Sequence, residues 1–383
     1  MMNEVSFGFD DTLLQSALAH GIVLGIPGIS VAICKNNGKV WTGTAGYSDI
    51  QQKNPVKPND RFCIGSITKT FVARVILQLA EEEKLDLHQT AADYLGLDIL
   101  ADIPNATKAT LRQLINHQSG IPNWEFTPDW IRDGRGSRMN LGKVWGKSEP
   151  LKYIRGIEAE HEPGKRYAYA NTNYTLLGLI IEAVTGQTAE SEIRSRILTA
   201  LNLKDTFFES FEEIPNGYVH HYHYATPVFA ETAGIHPVFP EIRPYMVETT
   251  AANLSTEWCA GGMVSSASDL LSWAQAIKNG VLLGPDMQQE VFRYYPPEET
   301  VEAEESYMQG IYKINNFYEQ KAVFGHGGGT LGFTCQMVWF DQPDLIIAML
   351  TNVGCIHSGL KPSPVGMFFN QILLPAAMEA VQK

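Results

Sequence analysis

The chain of 383 residues has no apolar stretch approaching the roughly 18 residues that a membrane-spanning helix needs. Its first residues also lack the basic start and apolar run of a secretory signal, since no lysine or arginine precedes Lys35. We therefore expect no membrane span. The protein is expected to be either cytoplasmic or an exported form whose leader has already been removed.

Positive charge is scarce. The chain has 29 lysines and arginines against 42 aspartates and glutamates, a formal net charge of −13. This balance argues against binding to nucleic acid or to anionic membrane surfaces. The length allows a large core, arranged in two lobes. The sequence leaves the oligomeric state open.

Cysteine is sparse as well, and the five cysteines are scattered without a Cys-x-x-Cys pair. This spacing favours buried, reduced thiols, and we expect neither a metal nor a cofactor. Cys63 lies three residues before Ser66 and is a rival candidate for a nucleophile. It precedes an apolar segment without an adjacent base, which argues against that role.

Strand patterns occur near both ends of the chain. Apolar and β-branched residues flank "KNNGK" at 35–39, and Asn-Gly is a strong hairpin signal. Helical patterns dominate from 66 to about 199, and strand-like runs return late. We expect an α/β fold in which residues 1–75 and 255–383 form an antiparallel sheet flanked by helices. Residues 76–254 are expected to form an inserted, mostly helical lobe.

The segment 217–245 is rich in histidine, tyrosine, phenylalanine and proline and reads as a long loop. Loops of this length are usually functional. His220, His221 and His223 admit a metal interpretation, although metal sites usually recruit further ligands at a fixed spacing. The alternative is an aromatic and polar wall beside a binding site.

A lysine follows a serine by three positions in "RFCIGSITKTFVARVIL". If Ser66 opens a helix, Lys69 lies on the same face and reaches the serine hydroxyl. The helix N-terminus favours a developing oxyanion, and burial lowers the pKa of a lysine. A lysine that has lost its proton is able to activate the serine.

Two further stretches accompany this pair. Tyr169-Ala170-Asn171 precedes an apolar helix, and His326-Gly327-Gly328 leads into a strand. Together the three stretches resemble the serine-reactive penicillin-recognising family, which has Ser-x-x-Lys, Tyr-x-Asn and Lys- or His-x-Gly in this order. That family includes class C β-lactamases, DD-peptidases, D-aminopeptidases, D-amino-acid amidases and related esterases.

Two landmarks between the motifs extend the resemblance over most of the chain. "LRQLINHQSGIPNW" is similar to the family's stretch between the first two motifs, and "AGGMVSSASDL" to its stretch before the third. We interpret His117, in the first landmark, as structural. Trp124 either lines the cleft or packs in the core.

The resemblance implies catalytic roles for three residues. Ser66 corresponds to the nucleophile and Lys69 to its first activator. Tyr169 corresponds to the tyrosine that relays protons to the serine and to the leaving group. Which of Lys69 and Tyr169 takes the serine proton stays open at this point.

The resemblance also implies four substrate-binding residues. Asn171 is expected to donate to the substrate amide carbonyl and to hold Lys69. His326 and Gly328 belong to the third motif, and the backbone N–H groups of Gly329 and of the serine correspond to the oxyanion hole. No metal ligand is implied.

The third motif departs from many relatives, because His326 replaces lysine and Gly327 replaces threonine or serine. A neutral histidine and a glycine offer poor recognition of a carboxylate. Arg132, Arg135 or Arg243 are possible substitutes. The resemblance implies a small-molecule or short-peptide substrate. We therefore expect a serine hydrolase that cleaves amides, esters or D-residue peptides without a free carboxylate at this position, through an acyl-enzyme. The alternatives are a class C-like β-lactamase or DD-carboxypeptidase and a non-catalytic penicillin-binding sensor.

Overall fold

The computed structural model of the chain describes residues 9–35, 38–299 and 305–382. Asn36 and Asn37, from the expected hairpin turn, and the two ends of the expected α/β lobe lie outside the described residues. Within this described part, no helix is both long and apolar enough to cross a membrane.

The strands fall mainly near the two ends of the chain, as the sequence patterns indicate. In chain order they are β1 (Gly28–Lys35), β2 (Lys39–Asp49), β3 (Asn54–Pro55), β4 (Phe62–Cys63), β5 (Phe207–Phe208), β6 (Tyr222–Tyr224), β7 (Glu241–Arg243), β8 (Met246–Glu248), β9 (Met263–Ser265), β10 (Glu305–Tyr307), β11 (Tyr312–Tyr318), β12 (Lys321–Thr330), β13 (Phe333–Phe340), β14 (Leu345–Thr351) and β15 (Val353–Gly354).

The helices lie between and outside the strands. They are α1 (Asp11–Val23), α2 (Thr68–Glu81), α3 (Leu97–Leu100), α4 (Leu111–Ile115), α5 (Pro128–Arg135), α6 (Asn171–Thr185), α7 (Ala189–Ile193), α8 (Pro227–Thr232), α9 (Trp258–Gly261), α10 (Ala267–Lys278), α11 (Pro285–Val291), α12 (Pro364–Phe368) and α13 (Leu374–Gln382).

The main sheet combines strands from both ends of the chain in the order β10-β11-β12-β13-β14-β1-β2-β3. Its pairings are antiparallel, and β1 and β2 form the hairpin expected from the sequence. Every residue of β1 and β14 is buried, because α10 covers one face of the sheet while α1 and the carboxy-terminal helices cover the other. The expected antiparallel sheet flanked by helices is thus confirmed, whereas the lobe boundaries remain a prediction.

Helix α2 is buried over almost its whole length, which explains its nearly continuous apolar sequence. It packs against α6 and α9 on the helical side of the molecule. Ser66 precedes the α-helix instead of opening it, and lies in a 3₁₀ turn over Gly65–Ile67. The α-helix begins at Thr68.

The strand β12 packs directly against this 3₁₀ turn. An ideal Cβ at Gly65 would lie 2.6 Å from the backbone nitrogen of Gly329, and one at Gly328 would lie 1.9 Å from the carbonyl oxygen of Ile64. Backbone contact this close excludes any side chain at either position. Glycine therefore brings the third motif against the serine turn.

The segment 217–245, expected as a loop, contains the short elements β6, α8 and β7. Strand β6 pairs with β8 and, in parallel, with β15 at the end of the sheet region. His221 and His223 are buried, so these histidines contribute to packing.

Candidate active site

Ser66 and Lys69 make the contact that their spacing predicts. Lys69 Nζ lies 2.9 Å from Ser66 Oγ and donates a hydrogen bond to it. Ser66 is only half-buried, whereas Lys69 is completely buried. The serine hydroxyl is therefore reachable from solvent while the amine beside it is shielded.

Two further acceptors fix the Lys69 amine. It donates to Asn171 Oδ1 at 2.7 Å and to the carbonyl oxygen of Ala260 at 2.6 Å. Burial lowers the pKa of Lys69 to about 7, although the nearby carboxylates of Glu125 and Glu257 act to raise it. Near neutral pH a large fraction of Lys69 is consequently unprotonated and able to accept a proton.

Tyr169 is the third residue at the serine. Its ring centroid lies 4.9 Å from Lys69 Nζ, and its hydroxyl is close enough to Ser66 for the serine to act on its pKa. Burial raises the pKa of Tyr169 well above its usual value. The tyrosine hydroxyl therefore keeps its proton at neutral pH in the free protein, which makes it a proton donor.

Asn171, the first residue of α6, links Lys69 to a carboxylate. Its Oδ1 accepts from Lys69, while its Nδ2 donates to Glu125 Oε2 at 2.7 Å. The side-chain amide is therefore fixed in one orientation. The structure shows the expected contact with Lys69, and the amide nitrogen that was expected to bind substrate is already bonded.

Glu125, Arg135 and Glu257 form a buried charged cluster near Lys69 that the sequence patterns did not predict. Arg135 Nη2 donates to Glu125 Oε1 at 2.6 Å and to Glu257 Oε1 at 2.7 Å. All three side chains are buried. Glu125 follows Trp124 and Glu257 precedes Trp258, and a large aromatic neighbour is the one sequence signal that indicated burial.

His326 lies in the same cleft but has both ring nitrogens engaged. Tyr307 Oη lies 2.9 Å from its Nε2, and its Nδ1 lies 2.6 Å from the carbonyl oxygen of Gly327. The carbonyl only accepts, so Nδ1 carries the proton and Nε2 accepts from the tyrosine. Burial and the charge of Lys69 lower the pKa of His326 to about 3. The ring is therefore neutral, and in this structure it does not present a free donor to substrate.

His117 packs against the ring of Tyr169. The two ring centroids lie 4.1 Å apart, and His117 Nδ1 accepts from the backbone N–H of Ala170 at 3.2 Å. Burial lowers its pKa well below the usual value. These contacts agree with the structural role expected for His117.

Burial decides between the two roles considered for Trp124 and argues against Cys63 as the nucleophile. Trp124 is fully buried, and its indole nitrogen donates to Thr175 Oγ1 at 3.2 Å, so it packs in the core. Cys63 is also fully buried, and burial raises the pKa of its thiol well above the usual value. A protonated, inaccessible thiol is a poor nucleophile.

The three arginines considered as carboxylate ligands either donate to other protein groups or lie on an exposed helix face. Arg135 is committed to two buried glutamates, and Arg243 donates to the backbone carbonyl of Gly25. Arg132 lies on the exposed side of α5. None of these three places a free guanidinium on Ser66.

A cavity of about 360 Å³ adjoins Tyr169. Its lining is mainly apolar: Ile121, Pro122, Phe126, Pro128, Ile157 and Ala168, with Asn123, Thr127 and Glu160 as the polar members. Its size and lining suit a small apolar group of a ligand. A larger cavity of about 780 Å³, lined by Arg61 and Asp205 among others, contains none of the candidate catalytic residues.

The histidines of the segment 217–245 do not assemble a metal site. His220 contacts Glu248 at 2.8 Å, His221 contacts Thr249, and His223 contacts the carbonyl oxygen of Ile356. Within the ranges that the structure describes, no cluster of three or more histidine, cysteine, aspartate or glutamate side chains is arranged to hold a metal ion.

A serine with a buried lysine beside it, between an antiparallel sheet and a helical region, defines the class of β-lactamase-fold serine hydrolases. The sequence model of the Beta-lactamase family matches residues 14–354. The chain therefore belongs to this family, and the resemblance seen in the motifs is confirmed.

Individual relatives agree with this assignment. Protein flp of Staphylococcus aureus strain MW2 is 33% identical over 200 residues, which are 52% of this chain and 38% of that protein. The chain thus spans less than two fifths of the length of this relative.

Solved structures match over almost the whole chain. A D-stereospecific amidohydrolase from Streptomyces sp. has a TM-score of 0.77 and 26% identity, covering 94% of this chain and 98% of its own. The D-amino acid amidase from Ochrobactrum anthropi SV3, in complex with D-phenylalanine, has a TM-score of 0.79 and 24% identity, covering 97% and 99%. The second match shows the shared fold.

Proposed function

We propose that the protein is a serine hydrolase that cleaves amides, esters or D-residue peptides through an acyl-enzyme on Ser66. The observation that carries this proposal is the 2.9 Å contact between Ser66 Oγ and a buried lysine whose pKa lies near 7. Such a lysine is a base matched to neutral pH.

The proton inventory supports Lys69 as the base. In acylation, Ser66 Oγ attacks the carbonyl carbon as its proton passes to neutral Lys69, and Tyr169 gives its proton to the departing amine or alcohol. In deacylation, water attacks the ester and gives a proton to the tyrosinate. Ser66 then regains its proton from Lys69, and both groups return to their starting states.

The developing oxyanion needs two donors, and backbone groups supply them in this proposal. Ser66 lies in the first turn before α2, where backbone N–H groups lack intrahelical acceptors. The close packing of Gly65 on Gly329 brings a second backbone N–H to the same turn. Donors fixed in this way stabilise the tetrahedral intermediate without reorganisation.

The charge pattern of the cleft favours substrates without a free carboxylate. His326 is neutral and Gly327 offers no hydroxyl, while Arg135 donates to Glu125 and Glu257 and does not present a free guanidinium to substrate. The apolar cavity beside Tyr169 provides room for a side chain of the acyl group. The relationship to a D-stereospecific amidohydrolase supports D-configured amides as the first class to test.

The test is a substrate panel with wild type and Ser66→Ala. It contains D- and L-phenylalanine amide, a short-chain chromogenic ester, an acyl-D-Ala-D-Ala peptide with its C-terminal amide, and a cephalosporin. We expect turnover of the ester and the D-amide by wild type and none by Ser66→Ala. Faster cleavage of the cephalosporin or of the free D-Ala-D-Ala acid than of the matched amide would favour the β-lactamase or carboxypeptidase alternative.

A further inference from the structure

The buried charges behind the site connect the catalytic elements to one another. Arg135 ends α5 and joins Glu125, from the turn before α5, to Glu257, which precedes α9. Glu257 Oε1 also accepts from Thr330 Oγ1 at 3.3 Å, at the end of β12. We call Glu125, Arg135 and Glu257 the ionic bridge.

Each end of the ionic bridge reaches a group that holds Lys69. At one end, Glu125 fixes the amide of Asn171, whose oxygen faces Lys69. At the other end, the charge of the Glu257 carboxylate acts directly on Lys69. The Glu257 backbone also contributes, because its carbonyl oxygen accepts from the N–H of Ala260 at 2.7 Å and the carbonyl oxygen of Ala260 accepts from Lys69. The two routes meet at one amine.

The burial of these charges costs free energy, which only pairing and hydrogen bonding offset. Isolated buried charges are strongly unfavourable, and an ion pair often stabilises no more than apolar residues of equal volume. Here the carboxyl groups of Glu125 and Glu257 face the cations Arg135 and Lys69, and burial raises the pKa of Glu257 to about 7 while it lowers that of Lys69 to about 7. The cluster is therefore neutral while Glu257 and Lys69 hold one proton between them, which links the second carboxyl group to the lysine.

We propose that Glu125, Arg135 and Glu257 are positioning residues that orient Asn171 and Lys69 toward Ser66 and hold the charge balance of Lys69. The proposal rests on the proposed function, because Lys69 must act as the base for Ser66. None of the three touches the serine in the structure; they act through Asn171, Ala260 and Lys69.

The surroundings of Lys69 determine how the proposal is tested. The titratable groups that face Lys69 or interact with its charge come from several elements, and they are Tyr169, Tyr174, Glu125, Glu257, His117 and His326. The two glutamates are the members that raise the pKa of Lys69. Neutralising one of them should therefore lower the pKa of Lys69 further.

The first experiment measures the rate at which a fluorophosphonate labels Ser66 as a function of pH. The rate should rise with pH as Lys69 loses its proton, and Glu257→Gln should move this rise to lower pH by roughly one unit. Glu257→Asp keeps the charge, so its rise should stay near the wild-type position while the maximal rate falls. Glu209→Gln, a buried carboxylate bonded to Ser210 and Leu254, is the matched control and should change neither.

The second experiment tests the route through Asn171. Both oxygens of Glu125 accept hydrogen bonds, so Glu125→Gln sets an amide NH₂ against one of the two donors. We expect at least a tenfold lower maximal labelling rate, roughly the effect of one lost charged hydrogen bond. Adding Asn171→Asp supplies an acceptor to Lys69 and to Gln at 125, and should restore part of the rate.

The outcomes separate the two proposals. No labelling of Ser66 in wild type at any pH overturns the proposed function. Labelling in wild type with an unmoved pH dependence in Glu257→Gln overturns the positioning role, because a packing defect alone changes the folded fraction and not the midpoint. A double variant no faster than Glu125→Gln overturns the route through Asn171.

Discussion

Both sides of the Ser66 cleft are buried, but one side holds charged groups and the other holds neutral ones. On the ionic side, Lys69 lies among Asn171 and the ionic bridge of Glu125, Arg135 and Glu257. On the aromatic side, His326 and His117 lie among tyrosines and are neutral. Tyr169 separates the two sides and contacts both.

Burial lowers the pKa on both sides by a similar amount. It takes His326 from 6.5 to about 3. It takes Lys69 from 10.5 to about 7, although two carboxylates act to raise that pKa. The higher starting value of the lysine therefore decides which of the two groups titrates near neutral pH. The cleft thus keeps one group titrating near neutral pH beside groups that do not titrate there.

The largest expected effect is on the ionic side. Lys69→Arg keeps the positive charge but prevents loss of the proton, so kcat should fall by roughly 10²-fold or more. Steady-state kinetics on the ester checks this. Arg74→Lys, a swap of the other buried cation of α2, is the control and should leave kcat within a few-fold. Near-normal turnover in Lys69→Arg would mean that Lys69 is only a structural cation.

A change on the aromatic side should alter specificity rather than chemistry. His326→Lys with Gly327→Thr adds a cation and a hydroxyl that contact only a substrate carboxylate. The kcat/KM ratio of acyl-D-Ala-D-Ala to its amide should rise about tenfold, since a charged hydrogen bond contributes about 1.5–3 kcal/mol. An unchanged ratio in a folded double variant would place carboxylate recognition elsewhere.

Acid should destabilise the fold through buried neutral histidines. The pKa values of His221, His223 and His326 are lowered from 6.5 to about 3 by burial. Below pH 6.5 these histidines bind protons in the unfolded chain but not in the native state. Their contribution to the free energy of unfolding is therefore complete above pH 6.5 and decreases as the pH falls. Each histidine contributes a slope of at most about 1.4 kcal/mol per pH unit.

Urea unfolding between pH 7 and pH 4 measures this slope. His221→Asn preserves a partner for Thr249 but removes one titrating group, so its slope should be smaller than that of wild type. Equal stability at pH 7 and pH 5 in wild type would contradict the neutral state of these histidines.

The smallest effect is expected from Tyr307→Phe. It removes the hydroxyl that bonds His326 Nε2 and should lower the free energy of unfolding by about 1–3 kcal/mol. Turnover of the uncharged ester should change only a few-fold, because the pair does not touch Ser66. Tyr245→Phe, at a largely exposed ring, is the control. A loss of activity as large as that of Lys69→Arg would remove the contrast between the two sides.

The sequence predicts those parts of the site that rest on local spacing. The contact of Ser66 with Lys69 follows from helical periodicity, and the hairpin of β1 and β2 follows from its turn residues. Motif order also places Tyr169 and Asn171 at the same serine, through contacts that span about a hundred residues.

The remaining features depend on contacts that no local pattern encodes. Arg135 was considered for substrate binding, but two glutamates distant in sequence occupy it. The hydrogen-bond partner of His326 is Tyr307. Tyr307 lies on β10 and His326 on β12, with β11 between them in the sheet, so only the tertiary fold brings the two side chains together. Within 217–245, β6 likewise forms by pairing with β8 and β15, and β7 forms by pairing with β8.

The central claim is that Ser66 is the nucleophile activated by Lys69. The most direct measurement is intact-protein and peptide mass spectrometry after treatment with a fluorophosphonate, on wild type and Ser66→Ala. We predict one added mass, located on the peptide that contains Ser66, formed faster at pH 8 than at pH 6 and absent from Ser66→Ala. Labelling on Cys63, or no labelling of a preparation that hydrolyses the ester, would contradict the account.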